Sequence, residues 1–393
     1  MTEKQKKICC QNLWKIFGAN PEGAFDSIKD GVSKQKFMEE TGHVIAIRDA
    51  SFEVKENEVF VIMGLSGSGK STLVRCINRL IEPTRGTVSI EGMDISQMNS
   101  HDLRELRRHK LSMVFQSFGL LPHRSVLDNI AFGLEVRGES REKRRKRASE
   151  TLELVGLKGW GSCQIHELSG GMQQRVGLAR ALAVGSEILL MDEPFSALDP
   201  LIRRQMQEEF VNLRSKLKRT VVFITHDLIE ALRLGDRIAI MQDGKIVQLG
   251  TPEDIVSRPA DDYVREFVKD VPRGKVIAAQ AIMEKPSAVI GSDQPVTTAI
   301  EKMEKNGADL TFVVNPSGVL EGTLTKERAV AEKDNGSIKV GEIANQEFPA
   351  TSPTTPLEQC LQLVAEGDTP VAVMDKERRL LGVITRPVLL KAV

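Results

Sequence analysis

No stretch of the 393-residue chain approaches the eighteen or so consecutive apolar residues that carry a helix across a membrane. The opening MTEKQKKICC likewise lacks the continuous apolar core of a secretion signal. If this protein works at a membrane, other subunits span it. Net charge is missing too, since 54 basic residues balance 54 acidic ones. That balance supplies no global field for nucleic acid or anionic lipid, and no nucleic-acid partner is expected. Cysteine is scarce, with five residues at positions 9, 10, 76, 163 and 360 and no metal-ligand spacing among them. Cys9 and Cys10 are adjacent, a poor geometry for a disulfide, so a reducing, cytosolic compartment is the simpler reading. What is present is length enough for two or three domains of about 150 residues each.

The chain is organised around GLSGSGKS, Gly64 to Ser71, which follows the apolar run Val59 to Met63 and precedes a helical segment from Thr72 to Leu80. A strand, a glycine loop and a helix start, in that order, are the parts of a phosphate-binding loop. Gly64, Gly67 and Gly69 let the backbone turn tightly, and with Leu65, Ser66, Ser68 and Thr72 they aim N–H groups at a helix N-terminus whose dipole favours an anion. Lys70 is placed for β and γ phosphates and Ser71 for a magnesium ion, so the expected ligands are ATP and Mg2+.

Around the loop, Ile8 to Gly18 reads as an edge strand that leaves Phe17 exposed, and Val44–Val54, Val59–Met63 and Val88–Ile95 read as further strands. Between them lies an insertion, about residues 19–43, in which Phe25, Ile28, Val32 and Phe37 recur at roughly helical spacing and predict one or two short amphipathic helices. Leu111 to Gln116 reads as a buried strand ending in Gln116, and Leu127 to Leu154 as helix. The basic run Arg141 to Arg147 is read as a solvated helix face rather than a phosphate or lipid contact. Ser169, Gly170 and Gly171 open a long helix and make a second anion-binding end. The run ILLMD, Ile188 to Asp192, is a buried-type strand that delivers Asp192 to a metal shell and Glu193 to orient and deprotonate a water. SALD, ending in Asp199, precedes a helix from Pro200 to Leu217, and the strand from Thr220 carries His226 at its end, where sites gather in parallel sheets.

These motifs, in this order and spacing, resemble the ABC transporter ATPases over about Ile8 to Lys269. The resemblance implies a site completed only when two copies pair head to tail, with Ser169, Gly170 and Gly171 of one facing the γ phosphate held by Lys70 of the other. It implies Asp192, Gln116 and Ser71 in the magnesium and water shell, Glu193 as general base, His226 as γ-phosphate sensor and Phe17 stacked on adenine, with Asp199 also at the nucleotide. Met172 stands where the family usually has glutamine. More narrowly, the insertion, IMGLSGSGKSTLVRCINRLIEPTRG and EPFSALDPLIRRQMQ look like ATPases that drive glycine betaine and proline uptake. The partners implied are a second copy, an integral membrane permease and, indirectly, a solute-binding protein or domain. The place implied is the cytoplasmic face of the inner cell membrane, peripherally bound.

After Pro272 a repeat appears: the stretch from Pro295 parallels that from Pro356, with Gly322, Leu324 and Thr325 aligned to Gly382, Ile384 and Thr385. Each copy offers a helix, a strand, a turn and a second strand, too little to bury its own apolar face, so the two are expected to pack together. The pair resembles tandem CBS domains. Where members of that family often carry an Asp that binds adenosyl nucleotides, Arg328 and Val388 stand here, which counts against ordinary ATP or AMP binding and leaves a structural or ionic-strength-sensing role open. Lys326, Arg328, Lys376, Arg378, Arg379 and Arg386 are candidate salt-sensitive contacts, or solvated surface. The expected fold is therefore α/β: a P-loop ABC nucleotide-binding domain with a helical subdomain over residues 1–270, then an α+β tandem CBS pair over 271–393, with repeats at about 277–335 and 338–393. The expected function is ATP hydrolysis that powers import of a compatible solute such as glycine betaine or proline. Competing readings are an importer ATPase for another small solute, a soluble ABC-type machine, which would usually carry two cassettes or large insertions, and a nucleotide sensor, which would not need Glu193 and His226.

Overall fold

A computed structural model describes residues 5–28, 33–117, 119–217, 219–333, 338–365 and 369–392. The chain divides into two compact units, Met1–Lys269 and Asp270–Val393. In the first, the strands are β1 (Lys6–Phe17), β2 (Val44–Lys55), β3 (Val59–Met63), β4 (Arg85–Ile90) and β5 (Met93–Asp94). They are followed by β6 (Leu111–Val114), β7 (Ile188–Asp192), β8 (Thr220–Thr225), β9 (Arg237–Gln242) and β10 (Lys245–Gly250).

One sheet runs β10-β9-β3-β8-β7-β6. Its centre is β3, VFVIM, whose five residues are all buried because parallel strands flank it on both sides and both faces are covered. Register aligns the strand ends: Met63 pairs with Thr225, Asp192 with Ile224 and Val114 with Met191. Every residue that immediately succeeds β3, β6, β7 or β8 therefore emerges at one carboxyl edge, where open parallel sheets gather ligands.

A second sheet, antiparallel, runs β2-β1-β4-β5. Here β1 is interior, paired with β2 on one side and β4 on the other, not the edge strand its sequence suggests. Its second neighbour arrives some seventy residues later, so nothing local announces it. The expected strand Val88–Ile95 is a hairpin instead. Glu91 and Gly92 both take positive φ, 51° and 80°, the type I′ turn that lets Ile90 face Met93. The expected continuous helix Leu127–Leu154 is two, Val126–Val136 and Arg141–Leu154. Gly138 at φ 79° ends the first, and Ser140, accepting from the Lys143 amide, caps the second. The basic run on that second helix is largely exposed and faces solvent.

The insertion holds a short 3-10 turn, Gly23–Ser27, and a helix, Lys34–Thr41, capped by Ser33 and closed by Gly42 at φ 69°. Phe37 and Ala24 bury against Ile16 and Ile45, with Phe25 and Ile28 packed beside them; Val32 lies outside the described residues. Phe25 also meets Trp14 edge-on at 5.2 Å and the Arg85 guanidinium at 3.7 Å. The insertion is pinched at its base, where His43 Nε2 accepts from the Asn20 amide and the ring fills the space beside Gly18. Phe17 and Val44 consequently remain paired across the ladder as if nothing separated them.

Away from the carboxyl edge, an ion network joins the two sheets. Lys7 on β1 lies 2.7 Å from Glu187, just before β7, and Lys110, just before β6, lies 2.7 Å from Glu187 and 3.1 Å from Glu91. The Lys110 and Lys7 ammoniums hold the Glu187 carboxyl down at about 2. Folding favours its charged form, so the stabilisation is complete above the ordinary value of 4.5 and is lost as pH falls through about 2. Because Glu187 is about half exposed, solvent screens the pair. Glu187→Gln is expected to lower the melting temperature by about 2 °C at pH 7 and by much less once the pH has fallen to about 2. Identical melting at pH 7 would remove the network from the stability of this unit.

The second unit contains β11 (Val289–Gly291), β12 (Leu310–Val314), β13 (Leu320–Thr325), β14 (Ala350–Thr351), β15 (Val371–Met374) and β16 (Leu380–Ile384). They form two sheets, β11-β12-β13 and β14-β15-β16, each adding a short parallel strand to the hairpin that the repeat predicts. Phe312 and Leu320 of one copy share a core with Ala372 and Val383 of the other. The copies also exchange their leading segments: Asn345 bridges to Thr323, and Glu284 to Val383. This exchange explains Gly322 and Gly382, because a Cβ on the first would lie 2.7 Å from Asn345 O and on the second 3.0 Å from Glu284 O. Of the candidate salt-sensitive cations, Lys326 and Arg328 stand on the helix Lys326–Ala331 and Arg386 opens the helix Arg386–Ala392. Lys376, Arg378 and Arg379 occupy the exposed turn between β15 and β16, and Lys326 lies 3.5 Å from Glu304.

Candidate functional site

The loop after β3 is shaped by contacts that only glycine allows. A Cβ on Gly64, at φ 152°, would lie 2.2 Å from Met241 O, and one on Gly69, at φ 103°, would lie 2.1 Å from Ala46 O. The loop is thus wedged between β9 and β2, and its N–H groups converge ahead of the helix Lys70–Ile77. Lys70 is buried, and its Nζ donates to Gly64 O and Leu65 O, both at 2.9 Å. Burial pulls its pKa down, with Glu193 and Asp192 opposing that shift. Ser71 Oγ donates to Asp192 Oδ1 at 2.7 Å, and Arg75 approaches the other Asp192 oxygen at 3.5 Å.

Glu193 succeeds β7 with φ +46°, the left-handed region, where a non-glycine residue costs on the order of 1–3 kcal/mol. Its amide donates to Ile224 O at 3.1 Å, which fixes the turn and throws the carboxylate forward. There Glu193 Oε2 lies 3.0 Å from His226 Nδ1 and 3.5 Å from Gln116 Nε2, while Oε1 lies 3.9 Å from Lys70 Nζ. A carboxylate is held at the mouth of an anion-binding loop by one imidazole and one amide, each from the end of a different parallel strand.

These groups border one cavity of about 640 Å³, together with Phe17, Leu65, Ser66, Gly67, Gly69 and Thr72. Phe17 is 41% exposed and forms the wall farthest along β1, beside Val44 and Ala46 of β2. Ser68 and Asp192 are buried behind the lining. Ser169, Gly170 and Gly171 do not line this cavity. They open the helix Gly170–Ala183, where Ser169 accepts from the Met172 amide and is itself exposed. Asp199 is likewise apart: it caps the helix Pro200–Leu217 by accepting from the Leu201 and Ile202 amides at 3.1 Å.

Three lining residues escape motif reading. Val44 and Ala46 carry no chemical signature, and Lys34 belongs to the insertion. Tyr263 also stands near, beside the Leu65 backbone, and burial pushes its phenol up.

A mostly parallel sheet with a glycine loop on its central strand, and a carboxylate, imidazole and amide at the neighbouring strand ends, defines an ATP-binding cassette. Comparison with known proteins agrees: residues 47–196 match the ABC transporter family, and residues 278–332 and 340–393 each match the CBS domain. The chain belongs to the ABC transporter family, and with it to the ATPases that couple ATP hydrolysis to transport. It is 46% identical over 392 residues, 98% of its own length and 97% of the relative's, to the glycine betaine/proline betaine transport system ATP-binding protein ProV of Escherichia coli (strain K12). It is 53% identical over 328 residues, 82% of its length and 96% of the relative's, to the trimethylamine N-oxide transport system ATP-binding protein TmoW of Ruegeria pomeroyi. Among solved structures, the dimeric post-hydrolysis state of the cassette MJ0796, bound to ADP and Pi, superposes with a TM-score of 0.53 and 32% identity, covering 62% of this chain and 98% of that one.

Proposed function

We propose that this chain is the ATP-hydrolysing subunit of an importer for a small methylated-amine compatible solute of the glycine betaine type. The observation that carries this reading is the nearly end-to-end similarity to a glycine betaine transport ATPase, which spans the insertion, the cassette and the CBS pair together. The solute class rests on the names of two relatives, glycine betaine and trimethylamine N-oxide, both small methylated amines without net charge.

In this reading Phe17 stacks on adenine, the amides of Gly64 to Thr72 and Lys70 hold the phosphates, and Glu193 accepts the proton of the attacking water. His226 Nδ1 and Gln116 Nε2 both reach Oε2 of Glu193, so the carboxylate is oriented before the nucleotide arrives. Ser71, Asp192 and Gln116 suit magnesium, because Ser71 Oγ and Asp192 Oδ1 already meet as hard oxygens at 2.7 Å and one carboxylate leaves room for phosphate oxygens. Bound there, the ion would neutralise phosphate charge as the terminal bond breaks. Ser169 and Gly170, which are exposed, and Gly171, which is half-buried, lie outside their own chain's cavity and serve the cavity of a second copy.

Residues 1–270 act as the motor and residues 271–393 as its regulator. No helix among the described residues is long and apolar enough to cross a membrane, so an integral permease supplies the path and a binding protein or domain supplies the solute. The chain then sits peripherally on the cytoplasmic face of the cell membrane. Reconstitution with the cognate permease in vesicles tests the reading: ATP-driven uptake of labelled glycine betaine is expected, and ATP hydrolysis without any uptake of methylated amines would refute it.

Regulation is testable in the same vesicles. Salt shortens the reach of surface charge from about 10 Å at 0.1 M to about 3 Å at 1 M. A tail held through exposed cations such as Arg328, Arg378 and Arg379 releases as internal salt rises. Deleting residues 274–393 is expected to leave basal ATPase activity and to flatten the salt dependence of transport. An unchanged salt activation curve would assign sensing elsewhere.

A further inference from the structure

We propose that Lys34, carried by the insertion, is a second phosphate-binding cation of the nucleotide cavity and acts alongside Lys70. The proposal rests on the reading of that cavity as the ATP site and adds a residue that belongs to no P-loop motif.

Lys34 opens the helix Lys34–Thr41, which is held in place by its Ser33 cap, by buried Phe37 and by the pinch between Gly18 and His43. An insertion with its own core and a fixed base presents its first helical residue reproducibly. That residue borders the same cavity as Phe17, Gly67 and Lys70. Its Nζ donates to Gly67 O at 2.9 Å, on the loop whose amides face the phosphates.

An ammonium has three donors, and the Gly67 carbonyl takes one, which leaves two for a ligand in the cavity. Among the described residues no carboxylate pairs with Lys34, so its charge is free to meet an incoming polyphosphate. Lys70 is buried and bonded to the loop, whereas Lys34 is only half-buried and stands at the rim. The two cations therefore meet the nucleotide in different surroundings, one desolvated and one screened by water.

The test is a charge series at position 34 in the full chain, read as the Kd for MgATP and for adenosine by titration. Lys34→Arg should stay within about twofold of wild type, Lys34→Gln should bind MgATP about fivefold more weakly and Lys34→Glu about twentyfold more weakly. The gap between wild type and Lys34→Gln should close between about 0.1 and 1 M salt, and adenosine, which has no phosphate, should bind alike throughout. In steady state the loss should appear in KM more than in kcat. A thermal melt of each variant confirms that the insertion is folded. If all three variants bind MgATP like wild type while Lys70→Ala loses it, Lys34 only braces the loop and the proposal falls with the ATP-site reading intact. Equal weakening by Gln and Glu, shared by adenosine, would point to a distorted loop and also overturn it. A Lys70→Ala protein that binds MgATP normally would remove the ATP-site reading itself.

Discussion

Glu193→Gln is expected to leave ATP binding intact and to cut hydrolysis by about a hundredfold or more, the usual worth of a general base. The substitution is close to isosteric and keeps the oxygen that faces His226 Nδ1 at 3.0 Å, so the site keeps its shape. What disappears is a group able to take a proton from water. Glutamine also inherits the left-handed backbone at this position, with the same local cost, so stability should change little. With hydrolysis blocked, the ATP-bound pair should persist, visible as a nucleotide-dependent dimer in gel filtration. Single-turnover hydrolysis at the wild-type rate would falsify the role of Glu193 as the base.

Ser169→Arg is expected to abolish hydrolysis just as thoroughly while sparing ATP binding by its own chain. Ser169 lies outside the cavity that its own loop forms, exposed at a helix start, and a Cβ on neighbouring Gly170 would meet nothing within 4 Å. An exposed, capped helix N-terminus of this kind is ready for an anion presented by another molecule. Arginine there would remove the hydroxyl and fill the space that the partner's γ phosphate should occupy, so the site it faces is lost. The decisive version mixes Ser169→Arg with Lys70→Ala. Neither protein alone has a workable site, but in the mixed dimer the intact loop of one faces the intact serine of the other, so activity should return at one site per dimer. A mixture as inactive as its components, with pairing demonstrated, would sink the shared site; so would hydrolysis strictly linear in protein concentration.

The cassette was legible in the sequence wherever chemistry and local geometry coincide. Val59 to Ser71 needs its apolar run, its glycines and its lysine within a dozen residues, because strand, loop and helix dipole must succeed one another along the chain. The run ending in Asp192 and the one ending beside His226 are legible for the same reason: a fully buried parallel strand is a continuous apolar stretch, and the next residue along the chain emerges at the sheet's edge. The internal repeat is legible because two copies of one small unit solve one burial problem twice.

Tertiary structure alone decided the features that depend on partners far away in the chain. The interior place of β1 required β4, and the network of Lys7, Lys110, Glu91 and Glu187 joined residues up to 180 positions apart. The left-handed backbone of Glu193 is set by a hydrogen bond to β8, and Gly322 and Gly382 are demanded by segments that each copy of the repeat lends to the other. Lys34 is the sharpest instance. In the sequence it is one more lysine in a polar insertion, and only the pinched base and the buried Phe37 bring it to Gly67, because position across a fold is fixed by packing between elements and not by order along the chain.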